Sequence, residues 1–132
     1  MKVLLINPNT TAAMTTQLLA SARAGFEGRM QIEAVTAARG VAVVASRAGY
    51  AVAAQSVLES WAAWREPVDA VVVACFGDPG VAALRELAHV PVYGLAQSTL
   101  QHASADASGY AVVTAGPAWQ PMLDELVATW RL

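Results

Sequence analysis

Short apolar runs alternate along the chain with longer stretches that have the spacing of helices. The runs are rich in Val, Ile and Leu, and they lie at residues 3–6, 32–35, 68–74, 90–95 and 110–113. Each run is continuously apolar rather than alternating, which is typical of a parallel strand covered by helices on both faces. The pattern therefore predicts an α/β fold with an open, doubly wound parallel sheet.

Four helices are predicted within the intervening stretches. Their expected spans are about 10–24, 49–64, a segment that follows Asp78 and Pro79, and 118–130. Gly25 is expected to end the first of these helices. Asp78 has the residue type of an N-cap for the third helix, and Pro79 suits the first helical position.

Two segments are less regular than the rest. Residues 40–45 fit either an extra strand or a loop. The polar stretch 104–109 is the best candidate for a boundary. We therefore expect an α/β domain at 1–105 and a further strand and helix at 106–132.

Composition limits the classes of partner. The chain has 132 residues, of which 56% are hydrophobic and 14% charged, so one domain with a charge-poor surface is expected. Apolar surface of this kind favours a homo-oligomer. A net charge of −2 without a cluster of Lys or Arg argues against nucleic acid and anionic membranes as partners.

Localisation is predicted from the amino-terminal segment and from cysteine usage. The first residues lack the long apolar region of a signal peptide, and no apolar stretch is long enough to span a membrane. A single cysteine cannot form an internal disulfide. We therefore expect a cytoplasmic protein.

The most informative position is Cys75, the only cysteine in the chain, which follows the apolar run 68–74. In open α/β sheets, ligands bind beyond the carboxyl ends of the strands. Backbone N–H groups at a helix start stabilise a thiolate, which is both a nucleophile and a base. Cys75 is therefore a candidate catalytic residue, although an isolated cysteine is more often a small buried apolar residue.

Polar residues follow two other predicted strands. Asn7, Asn9 and Thr10 come after the first strand, where amides and hydroxyls suit a carboxylate or carbonyl oxygen, and a turn with an N-cap explains them equally well. Thr114 follows the last predicted strand and is either a third oxygen-binding position or part of a plain turn. For Asp78, a capping role is favoured over that of a catalytic acid.

Other sites have weaker support from the sequence. His89 and His102 are far apart, with no cysteine or carboxylate at metal-ligand spacing, so we expect surface histidines and no metal site. No glycine-rich nucleotide-binding motif occurs. The tryptophans, at positions 61, 64, 119 and 130, are expected to act as packing or interface anchors.

Four motifs together resemble the hydantoin/allantoin racemase branch of the aspartate/glutamate racemase superfamily. They are residues 5–10 (LINPNT), 74–80 (ACFGDPG), 90–96 (VPVYGLA) and 111–114 (AVVT), in this order. The resemblance extends over nearly the whole chain. It implies a flavodoxin-like half of a two-part α/β enzyme that needs no cofactor.

In that family, one cysteine from each half faces the stereocentre of a small substrate that carries a carbonyl or carboxylate. Cys75 matches the first of the two cysteines. The resemblance also implies that Asn7, Asn9 and Thr10 hold the substrate. It further implies binding of carbonyl oxygens at Phe76, Gly77, Asp78 and Thr114.

The chain departs from the family pattern in two respects. It stops at Leu132, so the second cysteine is expected to be missing. Ala96 and Gln97 stand where the family usually carries an acidic residue, which leaves the substrate preference open. The alternative to a racemase is a non-catalytic, truncated module of the same fold that dimerises or binds a ligand.

Overall fold

Nine helices and strands are defined in the computed structural model, which describes residues 1–105, 109–114 and 116–132. In chain order they are β1 (Lys2–Asn7), α1 (Ala12–Phe26), β2 (Gln31–Thr36), α2 (Arg47–Ala63), β3 (Ala70–Val73), α3 (Val81–Leu87), β4 (Val92–Gly94), α4 (Leu95–Ser104) and α5 (Trp119–Trp130). The alternation of strand and helix confirms the predicted α/β class.

The four strands form one parallel sheet with the order β2-β1-β3-β4. In the centre of the sheet, Val3 pairs with Ile32 on one side and with Ala70 on the other. The chain moves outward from β1 to β2, crosses back over β1, and continues to β3 and β4. The direction of strand addition therefore reverses between β1 and β3, where ligands bind in open sheets of this type.

Both faces of the sheet are apolar, as the continuous runs predict. One face carries Leu4, Ile6, Val71 and Val73, which pack with the α2 and α3 side chains. The opposite face carries Val3 and Leu5, which pack with the side chains of α1. Trp61 and Trp64 pack against the first of these clusters, so these two tryptophans act as packing anchors.

The predicted fifth strand does not form in the described residues 109–114. Val113 is 96% exposed, and the neighbouring residues 110–112 are exposed as well. A strand requires a neighbour that accepts and donates its backbone hydrogen bonds. An apolar composition alone does not supply that neighbour, so the prediction of a strand at 110–113 was wrong.

Four helices differ from the predicted spans at their ends, and α4 (Leu95–Ser104) was not predicted, because the apolar run 90–95 indicated a strand there. The α1 helix includes Gly25 and ends after Phe26, where Glu27 adopts a left-handed conformation. Residues 40–45 form bends rather than a strand. The proposed boundary at 104–109 lies partly outside the described residues, and α4 runs through Ser104.

An apolar groove of about 360 Å³ lies between α1 and the β3–β4 side of the sheet. Val72 and Phe26 contribute to its walls, and Tyr93 on β4 is 50% exposed beside them. Within the described part of the chain, no helix combines the length and hydropathy needed to cross a membrane.

Candidate functional site

Cys75 and Asn9 line the same hollow at the carboxyl edge of the sheet. Asn9 follows β1 and Cys75 follows β3, and a hydrogen bond of 2.9 Å from the Ala74 N–H to the Ile6 carbonyl holds these strand ends together. The hollow has a volume of about 370 Å³. Its lining consists of Asn9, Met14, Gln17, Leu18, Ser21, Val43, Val44, Ala74, Cys75, Phe76 and Leu95. Seven of these side chains are purely hydrocarbon or thioether groups, so the hollow suits a small, partly apolar ligand.

The Asn7 side chain is committed to the turn that follows β1. It is 1% exposed, and its Nδ2 donates to Thr15 Oγ1 at 2.9 Å and to Asn9 Oδ1 at 3.1 Å. Its Oδ1 accepts from the Asn9 backbone N–H at 3.2 Å. The buried Asn7 side chain therefore stabilises the turn through its hydrogen bonds.

Asn9 combines a turn contact with a place in the hollow. Its Oδ1 accepts from the Thr11 N–H at 2.9 Å, next to the first turn of α1. Its Nδ2 lies 3.5 Å from Met14 Sδ, a weak acceptor. The amide N–H groups of Asn9 are therefore the best-placed side-chain donors of this turn for a ligand oxygen.

Thr10 and Thr114 lie outside the described lining of the hollow. Thr10 is half-buried, and its N–H donates to the Val41 carbonyl at 3.0 Å, which ties the turn to the segment before α2. Thr114 is exposed and lines a second cavity of about 310 Å³. Phe76 lines both cavities and is the link between Thr114 and the hollow.

Residues 75–78 form a tight turn. The Asp78 N–H donates to the Cys75 carbonyl at 3.0 Å. The N–H groups of Phe76 and Gly77 make no hydrogen bond to any other described residue. Two adjacent N–H groups beside the thiol are suited to an oxygen that gains negative charge.

Two aromatic residues, Tyr50 and Trp119, pack against Gly77. Its φ is +152°, and a Cβ at this position would lie 2.7 Å from Trp119 Cζ3. The Tyr50 hydroxyl donates to the Gly77 carbonyl at 2.8 Å, and Trp119 Nε1 donates to the Val44 carbonyl at 3.1 Å. Trp119 therefore acts as a packing anchor that joins α5 to the cysteine turn, and no side chain larger than hydrogen fits at Gly77.

Asp78 caps a different helix from the one predicted. Its φ is +56°, and Gly80 is the N-cap of α3. The buried Asp78 carboxylate instead accepts from the N–H groups of Ala96 at 2.8 Å and Gln97 at 2.7 Å, at the start of α4. Asp78 therefore caps a helix, as predicted, but that helix is α4 and not α3.

The electrostatic environment of Cys75 also differs from the expectation. Burial raises the pKa of the thiol to about 12, and the charge of Asp78 acts in the same direction. Cys75 precedes the first residue of α3 by six positions, so the N–H groups of a helix start do not face it directly. The expected stabilisation of the thiolate is absent from the described surroundings, and Cys75 is a neutral thiol at physiological pH.

Neighbouring groups are affected by the same buried charges. Burial is the largest cause that raises the pKa of Tyr50, and the charge of Asp78 adds to it, as does that of Cys75 once the thiol ionises. Burial also raises the pKa of Asp78, against the opposing effects of the Gln97 and Ala96 hydrogen bonds and of Arg85. His89 and His102 are exposed. Among the described residues, no three His, Cys, Asp or Glu side chains are grouped to hold a metal ion.

Comparisons with known proteins agree on one family. The family profile described as Asp/Glu/Hydantoin racemase matches residues 3–130. The chain is 39% identical to a hydantoin racemase of Pseudomonas sp. (strain NS671), with 100% of this chain and 53% of that protein covered. It is 35% identical to a hydantoin racemase of Paenarthrobacter aurescens, with 96% and 55% covered.

Solved structures agree with the sequence relatives. The crystal structure of allantoin racemase from Pseudomonas fluorescens superposes with a TM-score of 0.95 at 30% identity, over 100% of this chain and 56% of that chain. The allantoin racemase from Klebsiella pneumoniae gives a TM-score of 0.93 at 38% identity, over 99% and 54%. The chain therefore spans about half the length of the relatives that it matches.

Proposed function

The chain belongs to the Asp/Glu/hydantoin racemase family, and on that premise we propose that Cys75 transfers a proton at the stereocentre of a hydantoin or a related amino-acid derivative. One observation carries this proposal: the only thiol of the chain and the Asn9 amide open into the same hollow at the carboxyl edge of the sheet. Such a reaction uses acid/base side chains alone, so we propose that it needs no cofactor.

The proposed chemistry begins when a base removes the proton from the substrate carbon next to a carbonyl group. The electron pair moves to the carbonyl oxygen, where the N–H groups of Phe76 and Gly77 and the amide of Asn9 are suited to bind the developing negative charge. The Cys75 S–H then gives its proton to the carbon from the opposite face and becomes a thiolate. In the reverse direction, the Cys75 thiolate is the base.

Inversion requires an acid/base group on each face of the carbon. Cys75 is the only cysteine in these 132 residues, so we place the second group outside them. We propose that 1–105 is the first α/β half and that 106–132 begins a second half that supplies this group. We also place the reaction in the cytoplasm, because a free thiol persists in a reducing compartment.

The test is incubation of the chain with a chiral 5-substituted hydantoin in deuterated water. Wild type should exchange the hydrogen on carbon 5 for deuterium faster than buffer does, with retention of configuration. The rate should rise with pH, because the thiolate removes the proton and the pKa of Cys75 is raised. Cys75→Ser should reduce exchange to the rate in buffer.

Three outcomes would count against parts of this proposal. Equal exchange by wild type and Cys75→Ser would remove Cys75 from the reaction. Racemisation by this chain alone would contradict the assignment of the second group to residues outside it. Exchange at the rate in buffer for wild type would favour a module without catalytic activity.

A second candidate is a non-catalytic module that dimerises. The apolar groove beside α1 and the half-exposed Tyr93 favour this alternative. Sedimentation at micromolar concentration tests it, and Tyr93→Lys should convert a dimer formed through this groove to a monomer. A wild-type monomer at these concentrations would remove the reason for the alternative.

A further inference from the structure

The Asp78 carboxylate lies between the cysteine turn and the start of α4. Its own N–H is bonded to the Cys75 carbonyl at 3.0 Å, and its side chain accepts two N–H groups of α4. The left-handed φ of +56° is unfavourable for a residue with a side chain, and the hydrogen bonds on both sides offset that cost. Asp78 thus fixes the position of the turn relative to α4.

Gly94 leaves room for this arrangement. A Cβ at Gly94 would lie 2.3 Å from Asp78 Cγ, although the φ of −94° at Gly94 suits any residue. The lack of a side chain at Gly94 is therefore explained by the neighbouring carboxylate and not by the backbone. Asp78 and Gly94 form one packing unit beneath the cysteine turn.

We propose that Asp78 is a positioning residue for the reaction of Cys75: its buried carboxylate holds the cysteine turn against α4 and places a negative charge beside the thiol that gives a proton to the substrate carbon. This inference rests on the proposed function. It assigns to the Asp78 side chain a role through Cys75, in place of a direct contact with substrate.

Titratable groups on two neighbouring helices act on this pair. Tyr50 faces the turn from α2, and Arg85 on α3 lowers the pKa of Asp78 by its charge. Arg85 also donates to the Val92 carbonyl at 3.0 Å and to Gln97 Oε1 at 3.0 Å, so it lies beside the same helix start. The carboxylate is thus the anionic group that acts most directly on the thiol.

The experiment measures the rate at which iodoacetamide alkylates Cys75 as a function of pH. Asp78→Asn and Asp78→Ser both remove the charge and keep an oxygen that caps a helix start. Each should raise the alkylation rate at pH 8 about tenfold and shift the pH profile to lower pH, since a neighbouring charge alters the thiolate fraction by this order. Glu86→Gln, which removes an exposed charge on α3, should leave the profile unchanged.

The pH profile separates positioning from loosening. A merely loosened turn would raise the rate by the same factor at every pH, including the plateau where the thiol is fully ionised. An unshifted profile in both Asp78 variants would overturn the proposal. Loss of the folded state in both variants would also overturn it, because the carboxylate would then serve the fold alone. No substrate is present, so the result is independent of the deuterium-exchange test of the proposed function.

Discussion

Replacement of Gly94 by alanine tests the packing unit formed with Asp78. The added Cβ would collide with the Asp78 carboxylate, since it would come within 2.3 Å of Cγ and 2.8 Å of Oδ1. Real Cβ atoms do not approach other heavy atoms this closely, so the carboxylate must move. The backbone itself accepts alanine, because φ at this position is −94°.

The magnitude follows from the contacts that the carboxylate loses. Two hydrogen bonds to an ionised acceptor, from Ala96 at 2.8 Å and Gln97 at 2.7 Å, contribute about 1.5–3 kcal/mol each. Their contributions are not additive because both depend on one side chain. We expect Gly94→Ala to lower the free energy of unfolding by about 2–4 kcal/mol, a large share of the stability of an ordinary domain.

Urea unfolding followed by circular dichroism measures this change. The matched control is Gly25→Ala in the last turn of α1, where an added Cβ meets no atom within 4 Å. That control should be neutral or should stabilise the chain by up to about 1 kcal/mol, since alanine is the better helix former. In an Asp78→Ser background, Gly94→Ala should cost less, because the group it collides with is gone. Equal stability of Gly94→Ala and wild type would refute the argument.

Two further predictions concern the site. Because the folded thiol has a pKa of about 12 and an unfolded one ionises near 9, only the unfolded state loses its proton between these values. The free energy of unfolding of wild type should therefore fall relative to that of Cys75→Ser as pH rises above 9, by up to about 1.4 kcal/mol per pH unit. Urea unfolding of both proteins at pH 8 and pH 10.5 measures this difference. An equal change in the two free energies between these pH values would contradict the raised pKa. Asn7→Ala should lower the free energy of unfolding by about 2–3 kcal/mol, because it removes the hydrogen-bond partner of the buried Thr15 hydroxyl and Asn9 N–H. The control Gln101→Ala, on the surface, should change it by less than about 0.5 kcal/mol. Similar effects of the two substitutions would contradict the role of Asn7 in the turn.

The sheet and the placement of Asn9 and Cys75 at one edge of it could be predicted from the sequence because both follow from local patterns. Continuous apolar runs identified β1 and β3, and the rule that ligands bind at carboxyl ends placed Asn9 and Cys75 at one edge. The prediction failed at 110–113, where the residues are apolar but the described segment has no strand to pair with. Pairing is a tertiary property, so composition alone could not decide it.

The contacts of Asp78 could not be predicted for a similar reason. A capping residue is expected to serve the helix that follows it, whereas Asp78 reaches N–H groups 18 and 19 positions further along the chain. The raised pKa of Cys75 likewise depends on burial and on this carboxylate in three dimensions. The close approach of Gly94 to Asp78 is likewise a tertiary contact, which the apolar run 90–95 does not indicate.

The reversal of strand order between β1 and β3 has a consequence for how this site can change. The space beside Cys75 exists because the helices that follow β1 and β3 leave the sheet in opposite directions. The side chains of Met14, Val43 and Leu95 form part of its wall. Substitutions at these three positions would alter the width and polarity of the space, whereas the path of the backbone, which creates the space, would stay the same. The ligand preference of the hollow can therefore change during evolution, or be redesigned, while the sheet that positions Cys75 is kept.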